Sequence, residues 1–394
     1  MKNYKEILEE TRGWAEETFK KIDGKLSAVT LRSRDKLADG VDENGFHKTV
    51  QAKSWTSGFW GGLNWLMYER TKNEEYLKTA KRSEEKLDEA LANFETLYHD
   101  VGFMWHILSG ASYRLTGDEQ SKTRNLYAAA SLSSRFVLGG EFIRAWNGTA
   151  AKGWAQRPVD DWSIIDCMMN LPILYWASDV IGDDRFKRIA MAHADCTIRT
   201  HLRDDGSINH VVEHDRETGD IREVIGGQGL APESSWSRGQ AWAVYGFTLS
   251  YLHTGEQRYL DAAKQVSNYF IANCCDDWLP RVDFRSPSTP VYYDSTAGCC
   301  AACGMLELAR VLPENEGGMY AHAAVKMLQA IAEKFGDFDP ANDAMINYGT
   351  VRYPVPGRYD EVKAGVHRYI IYADYYFTEA VLKLLGSEFN PWMK

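Results

Sequence analysis

Apolar segments recur along the chain, and each is followed by a polar turn and a segment with only one apolar face. In the first unit, Gly58–Tyr68 is apolar on nearly all sides, the chain turns near Thr71, and an amphipathic segment begins at Glu74. Helices that are apolar all round lie inside a protein, whereas one-sided helices lie at its surface. Each unit therefore predicts an inner helix, a turn and an outer helix. The six apolar segments cover residues 58–68, 101–108, 168–177, 239–251, 297–311 and 372–386.

Six such hairpins, the last completed by an amphipathic helix at residues 4–21, predict a closed double ring. The predicted fold class is all-α, an (α/α)6 barrel with short β-hairpin insertions in its loops. We predict one domain over residues 1–394. The spacing of the units is too irregular for a solenoid array. An open helical-repeat scaffold is the alternative.

Polar and aromatic residues cluster just before or at the start of the inner segments. In a barrel of antiparallel hairpins the inner helices all run the same way, so these residues would meet at one mouth. The positive ends of six helix dipoles would lie there, which suits a negatively charged ligand. The residues concerned are Trp55 and Trp60; His99 and Asp100; Asp166; Trp236, Arg238, Gln240 and Trp242; Asp294, Ser295 and Thr296; and Tyr369 and Asp374.

Asp166 is a carboxylate among apolar neighbours, between Ile164-Ile165 and Met168-Met169. Burial of a charged acid is costly, and it commonly raises the pKa of the acid into the range that a proton donor needs. The structural alternative is that Asp166 caps a helix. Asp160 and Asp161, a few residues earlier, fit capping or structural roles better.

Residues 202–229 predict a short hairpin inserted between the third and fourth units. Insertions of this kind often line sites on a rigid scaffold, which makes His210 and Gln228 candidate polar contacts. A single histidine in a strand more often has a structural role.

Aromatic residues provide candidate sugar platforms around the mouth, because flat rings stack on the C–H faces of sugars. The same residues could simply fill a large core, and we expect most of them to do so. Two carboxylates on successive inner helices, Asp100 and Asp166, fit the acid and base pair of a glycosidase. The tryptophans concerned are 55, 60, 105, 146, 154, 162, 176, 236 and 242.

Composition limits the possible partners of the chain. The formal net charge of −10 argues against binding to nucleic acid or to an anionic membrane surface. No apolar signal segment follows Met1, and no apolar run has the length of a membrane span.

Seven cysteines, an odd number, predict reduced thiols in a cytoplasmic protein. Cys299-Cys300-Ala301-Ala302-Cys303 could suggest a metal cluster, but no second cysteine or histidine motif follows, so small core residues are the better interpretation. We predict no metal and no cofactor. Asn147-Gly148-Thr149 fits a glycosylation sequon, which means little without a secretory signal.

Several segments together resemble the motifs of the family 88 unsaturated glucuronyl hydrolases. The similarity extends over residues 10–388 in the right order, and the combination is much more specific than any single motif. The segments are Trp55–Trp60, Tyr98–Phe103, Ile164–Pro172, Ser235–Trp242 and Tyr372–Tyr376.

This resemblance implies an (α/α)6 barrel and an exo-acting enzyme that releases a terminal Δ4,5-unsaturated glucuronic acid from oligosaccharides made by polysaccharide lyases. It implies that Asp166 protonates C4 of the vinyl ether and activates the water that adds at C5, while Asp100 holds the sugar and tunes Asp166. The substrate would be the unsaturated oligosaccharide, and the enzyme would be a monomer or homodimer. The implied substrate-binding residues are Trp55, His99, His210, Gln228, Trp236, Arg238, Gln240 and Trp242.

The loop over residues 353–366 is where relatives can approach the second sugar and, in some members, its sulfate. Here it contains Arg358 and Lys363 without a serine pair between them, so a preference for sulfate stays open in either direction. An unsaturated rhamnogalacturonyl hydrolase is the nearest enzyme alternative, and a non-catalytic helical-repeat scaffold is the alternative outside enzymes.

Overall fold

Helices in two concentric rings form most of the chain in the computed structural model, which describes residues 2–148 and 158–394. A π-helix, Gly102–Gly110, continues into the α-helix Ala111–Thr116. A 3-10 segment, Ile165–Met169, precedes the α-helix Pro172–Ile181. In chain order the α-helices are α1 (Tyr4–Ser33), α2 (Phe59–Thr71), α3 (Glu74–Leu91), α4 (Ala111–Thr116), α5 (Glu119–Ser133), α6 (Pro172–Ile181), α7 (Arg185–Thr200), α8 (Ser237–Thr254), α9 (Gln257–Cys274), α10 (Ser295–Val311), α11 (Glu314–Phe335), α12 (Glu361–Ala364) and α13 (Ile371–Leu384).

The inner ring is closed. Helix α2 contacts the π-helix, which contacts α6; α8, α10 and α13 follow in turn, and α13 contacts α2 again. Helices α3, α5, α7, α9 and α11 lie outside as the second members of their hairpins, and α1 completes the hairpin of α13. The predicted (α/α)6 barrel is confirmed. The N-terminal helix is longer than the predicted 4–21, because it extends to Ser33.

The inner helices pack closely because small residues occur where two backbones meet. A Cβ atom on Gly304 of α10 would lie 2.7 Å from the Cα of Tyr245 in α8. A Cβ atom on Gly246 of α8 would lie 2.5 Å from the Cβ of Met168, next to the 3-10 segment of Asp166. Outer helices differ: α3 buries one face, through residues such as Tyr76, Ala80 and Leu87, and exposes the other.

Short strands form the insertions between the helices. The predicted hairpin is present as β6 (Val211–His214) and β7 (Ile221–Ile225). A third strand, β5 (Trp162–Ile164), was not predicted, and it ends two residues before Asp166. These three strands form an antiparallel sheet in the order β5-β6-β7. The strands are β1 (Ala38–Val41), β2 (His47–Thr49), β3 (Phe136–Val137), β4 (Phe142–Ile143), β5 (Trp162–Ile164), β6 (Val211–His214) and β7 (Ile221–Ile225).

The C-terminal tail closes the barrel at the end where the inner helices finish. The Trp392 ring is fully buried and stacks on Tyr376, with ring centroids 6.2 Å apart. Its Nε1 donates to Oε2 of Glu379 at 3.1 Å. Its backbone carbonyl lies 3.2 Å from Nε2 of His106 and 3.0 Å from Nε2 of His253. The tail is therefore part of the core.

The structure describes two ranges, residues 2–148 and 158–394. Neither range contains a helix long and apolar enough to cross a bilayer. Within the same ranges, no group of three or more His, Cys, Asp or Glu residues is arranged to hold a metal ion. Cys299, Cys300 and Cys303 are buried free thiols on α10.

Candidate active site

A cavity of about 220 Å³ opens at the end where the inner helices begin. Segments just before α2, the π-helix and α6 contribute to its wall, as do the first turns of α8 and α13. Asp294, at the start of α10, supports it from behind by holding Arg238. The predicted convergence at one mouth is therefore present in part. The predicted residues that do not line the cavity are Trp60, Gln240, Asp294, Ser295, Thr296, Tyr369 and Asp374. The lining residues are Trp55, His99, Asp100, Trp146, Ile164, Asp166, Gln228, Trp236, Arg238, Trp242, Val351, Arg352 and Tyr372.

Asp166 lies two residues after the end of β5 and is 9% exposed. Its backbone position is set by neighbours on both sides: Ile165 donates its N–H to the carbonyl of His210 at 3.1 Å, and Asn170 donates its side-chain amide to the carbonyl of Asp166 at 3.2 Å. The Asp166 side chain makes no capping hydrogen bond. The capping alternative does not apply, and the carboxyl group faces the cavity.

His210 directs one ring nitrogen towards Asp166. Its Nδ1 accepts the backbone N–H of Gln228 at 3.0 Å, so in the neutral ring the proton is on Nε2. That Nε2 lies 3.5 Å from Oδ1 of Asp166. The ring also packs against Trp236, with centroids 4.3 Å apart. The inserted hairpin thus delivers an N–H group to the carboxyl that sequence analysis chose as catalytic.

His99 differs from His210, because it directs a nitrogen lone pair and not an N–H group towards its carboxyl group, Asp100. Its Nδ1 lies 2.8 Å from the carbonyl of Ala145, which only a ring N–H can satisfy, so Nε2 of the neutral ring carries a lone pair. That Nε2 lies 3.2 Å from Oδ1 of Asp100. Two acceptors at this distance need a proton between them.

Burial raises the pKa of Asp100 from 3.8 to about 6; the negative charge of Asp166 adds to this rise, while His99 and Arg135 oppose it. Sequence reasoning expected a raised pKa in this pair and attached it to Asp166. The structure shows such a rise at Asp100. The proton that His99 and Asp100 require is thus held at pH values up to about 6.

Arg238 is buried and fully engaged. Its Nε and one terminal nitrogen each donate to Asp294 at 3.0 Å, which neutralises the guanidinium charge with a bidentate pair. The same terminal nitrogen donates to the carbonyl of Thr350, and the other donates to the hydroxyl of Tyr372. Arg238 therefore forms part of the cavity wall and positions Tyr372.

The two predicted glutamines differ. Gln228 lines the cavity, and its amide donates to the carbonyl of Val351 at 2.7 Å, which ties the hairpin insertion to the loop after α11. Gln240 does not reach the cavity. Its buried amide donates to the carbonyls of Gly206 and Val266 at 2.7 and 3.1 Å. The structure therefore corrects the prediction that Gln240 contacts substrate: it links α8 to α9.

We expected most of these tryptophans to fill the core, but those that the structure describes divide equally between cavity and core. Trp55, Trp146, Trp236 and Trp242 line the cavity. Trp154 lies outside the described residues, as does Thr149 of the sequon. The remaining predicted tryptophans are buried away from the cavity: Trp60, Trp105, Trp162 and Trp176.

Among the described residues that line the cavity, four were not predicted as site residues: Ile164, Val351, Arg352 and Tyr372. Tyr372 could have been found, because it begins an inner helix and opens a motif that resembles the family. Val351 and Arg352 lie in an irregular segment without periodicity, so spacing gives no signal for them.

Volume alone does not locate this site. A larger open groove of about 680 Å³ runs along the outer helix α3, and its acidic residues Glu85 and Glu89 are not paired with buried histidines. The smaller cavity is distinguished by two carboxyl groups, each facing a histidine, and by its aromatic walls.

Comparisons with known proteins agree with this geometry. Residues 30–364 match the model for Glycosyl Hydrolase Family 88. The unsaturated glucuronyl hydrolase of Bacillus sp. (strain GL1) is 33% identical over 94% of this chain and 97% of its own. The unsaturated chondroitin disaccharide hydrolase of Streptococcus pneumoniae is 32% identical over 84% of this chain and 81% of its own.

A solved relative carries a bound sugar. It is an aspartate-to-asparagine variant of the unsaturated glucuronyl hydrolase of Streptococcus agalactiae, complexed with dGlcA-GalNAc6S. It superposes with a TM-score of 0.79 at 25% identity, over 95% of this chain and 93% of its own. These matches favour an enzyme over a helical-repeat scaffold. The chain belongs to glycosyl hydrolase family 88 and is a glycoside hydrolase.

Proposed function

We propose that this enzyme releases the terminal Δ4,5-unsaturated glucuronic acid from oligosaccharides that polysaccharide lyases produce. The observation that carries the proposal is the pairing of Asp100 and Asp166 in one aromatic cavity, each beside its own histidine. At about 220 Å³ the cavity is smaller than the usual site for a drug-sized ligand, which suits one terminal sugar ring and hence exo action. The names of the relatives support the same substrate class.

The reaction that fits is hydration of a vinyl ether. Asp166 donates a proton to C4 of the unsaturated ring, and the resulting positive charge at C5 is quenched by a water that the Asp166 carboxylate deprotonates. The hemiketal at C5 opens to a ketone, which makes the sugar a keto acid and leaves a hemiacetal at C1. Collapse of this hemiacetal breaks the bond to the aglycone and releases it as an alcohol. No glycosyl-enzyme forms, so the separation of the two carboxyl groups does not distinguish retention from inversion.

Two neighbours support the role of Asp166 in this proposal. Asp100, whose pKa is raised to about 6, hydrogen-bonds the sugar hydroxyls and tunes Asp166. Trp236 packs on His210 and fixes the ring that faces Asp166.

Replacement of Asp166 by Asn tests this proposal. The variant should fold normally and lose at least about 10²-fold in kcat, because an amide neither donates the proton nor activates the water. The measurement is the loss of the ultraviolet absorbance of the conjugated alkene, with an unsaturated disaccharide as substrate. Unchanged turnover by the variant would contradict the assignment.

An isotope experiment tests the order of steps. In heavy-oxygen water, the label should enter at C5 of the released sugar and not at the hydroxyl of the aglycone. A panel of unsaturated disaccharides from chondroitin, hyaluronan, heparin and gellan-type polymers then identifies the preferred aglycone.

We further propose that residues 1–394 act as one domain, as a monomer or homodimer in the cytoplasm. The free thiols of all seven cysteines fit a reducing compartment. Cell fractionation and sedimentation test these two points directly.

A further inference from the structure

Among residues 2–148 and 158–394, two arginines line the active-site cavity, and only one of these two has its charge neutralised by a partner. Arg238 is paired with Asp294 through two hydrogen bonds of 3.0 Å. Arg352 has no acidic group within 4.0 Å among residues 2–148 and 158–394, and its Nε is buried without a hydrogen-bond partner there. An unmatched buried donor on a cation is costly unless a ligand satisfies it.

The backbone on both sides of Arg352 is held in place. Arg352 donates its own N–H to the carbonyl of Ala364 at 3.1 Å, and Tyr353 donates to the carbonyl of Gln228 at 2.8 Å. On the other side, the carbonyl of Val351 accepts the amide of Gln228 at 2.7 Å. The arginine is therefore presented from a fixed segment that is bonded to the inserted hairpin.

The Arg352 side chain is also oriented. Its guanidinium carbon lies 4.8 Å from the centroid of the Tyr359 ring. An arginine held against an aromatic face keeps the N–H groups at its edge free for a planar anion, which it binds through two parallel hydrogen bonds.

We infer that Arg352 binds the carboxylate of the unsaturated uronate ring in the active-site cavity. The cavity of about 220 Å³ has room for one sugar, so an anion inside it belongs to that sugar and not to the next one. Arg238, which the family resemblance places among the ligand contacts, also lines the cavity, but its charge is neutralised by Asp294. This inference rests on the proposed function, because that function supplies the carboxylate.

The test compares Arg352→Ala with the wild type on three substrates: an unsulfated unsaturated disaccharide, its sulfated counterpart, and the methyl ester of the unsulfated one. The variant should raise KM about 10- to 100-fold on both charged substrates, as expected for the loss of hydrogen bonds to a charged group, and should change kcat less. On the methyl ester, which lacks the uronate charge, variant and wild type should differ less than 3-fold or so.

Arg358→Ala is the matched control. Arg358 lies on the same loop, with its guanidinium carbon 5.1 Å from the same Tyr359 ring, but it is exposed and does not line the cavity. Its KM on the unsulfated disaccharide should be unchanged. Arg352→Lys, which keeps the charge but not the planar fork, should fall between the wild type and Arg352→Ala.

Each other outcome overturns the inference. A KM effect confined to the sulfated substrate would assign Arg352 to the sulfate of the second sugar, and an equal effect on the methyl ester would make its role structural. If the wild type binds the disaccharide without turning it over, the proposed function fails. The same comparisons made as Kd values by calorimetry then still decide where the carboxylate binds.

Discussion

The two carboxyl groups of the cavity differ in what the neighbouring histidine offers them: an N–H group in one case and a nitrogen lone pair in the other. His210 offers an N–H to Asp166, because its other nitrogen accepts the N–H of Gln228. His99 offers a lone pair to Asp100, because its other nitrogen donates to the carbonyl of Ala145. The backbone partners of the two rings thus give two chemically identical side chains different surroundings, which is how one carboxyl group can react with the alkene and the water while the other holds the sugar.

The raised pKa of Asp100 predicts that this residue destabilises the free enzyme at neutral pH. Its folded-state pKa of about 6 exceeds the ordinary 3.8, so the folded state holds the proton more tightly, and stability falls as pH rises from about 4 to about 6. The Asp100→Asn variant cannot ionise. It should be more stable than the wild type by up to about 3 kcal/mol at pH 7 and equally stable below pH of roughly 4, measured by urea unfolding across pH.

Asp215→Asn is the control, with the opposite sign. Hydrogen bonds from Arg222 and from the backbone of Glu217 and Thr218 lower the pKa of Asp215 to about 2. This carboxylate stabilises the fold above the unfolded-state pKa, and the benefit is lost as pH falls towards 2. Its Asn variant should therefore be less stable at pH 7. An Asp100→Asn variant that shows no gain at pH 7 would contradict the raised pKa of Asp100.

For single residues, sequence reasoning succeeded where the helical period decides which side chains point in the same direction. Trp242 lies four residues after Arg238 on α8, so both face the cavity, whereas Gln240 lies two residues after Arg238 and points to the other side of the helix. The helical period alone could have excluded Gln240. Arg352 could not have been found in this way, because irregular backbone has no period and its position depends on distant hydrogen bonds.

At the scale of elements, the buried hydroxyl of Ser163 joins β5, which precedes Asp166, to β6, which follows His210. Ser163 on β5 lies 2.7 Å from Nε2 of His201, at the end of α7, and 2.6 Å from Nε2 of His214 on β6. Each ring directs Nδ1 to a backbone carbonyl, that of Asn209 or Gly219. Burial lowers the pKa of both rings, that of His201 to about 3, so both stay neutral at pH 7 and share the single proton of Ser163.

Removal of this hydroxyl should loosen the catalytic sheet. Ser163→Ala leaves two buried ring nitrogens without a donor, which should lower the free energy of unfolding by about 1–3 kcal/mol. It should also lower kcat, because Asp166 follows β5 and His210 precedes β6. Urea unfolding and steady-state kinetics measure the two effects.

Ser267→Ala is a matched control. Ser267 is also fully buried, on α9, and its hydroxyl has no hydrogen-bond partner among the residues the structure describes. Its removal should change stability by less than about 1 kcal/mol and leave kcat unchanged. Equal effects of the two serine variants would show that Ser163 only fills space.

For the whole molecule, the alternation of fully apolar helices with amphipathic helices was sufficient to predict the closed double ring of helices. Each unit has to bury its apolar helix, and six units do so most completely by closing on one another. The tail after α13 was not predicted, because residues 388–394 contain too few positions for a periodic signal. Trp392 enters the core through single contacts with Glu379, His106 and His253 that only the assembled barrel provides.

The tail should therefore contribute strongly to stability. Trp392→Ala should cost about 3–5 kcal/mol, as expected for the truncation of a fully buried tryptophan, while kcat per folded molecule should change much less because Trp392 does not line the cavity. Denaturant unfolding and active-site titration separate the two quantities. Lys394→Ala, whose side chain is 67% exposed, should change stability by less than about 0.5 kcal/mol. A similarly small cost for Trp392→Ala would contradict a core role of the tail.

The pairing of α1 with α13 affects how the protein is made. Helix α1 is translated well before its packing partner α13, so α1 has to wait while the ribosome adds the helices between them. The inner ring lacks its sixth helix until residues 371–384 leave the exit tunnel, and it stays open at one end until Trp392 follows. A chain stalled before that point exposes the apolar sides of α2 and α10, which makes it a substrate for chaperones and proteases.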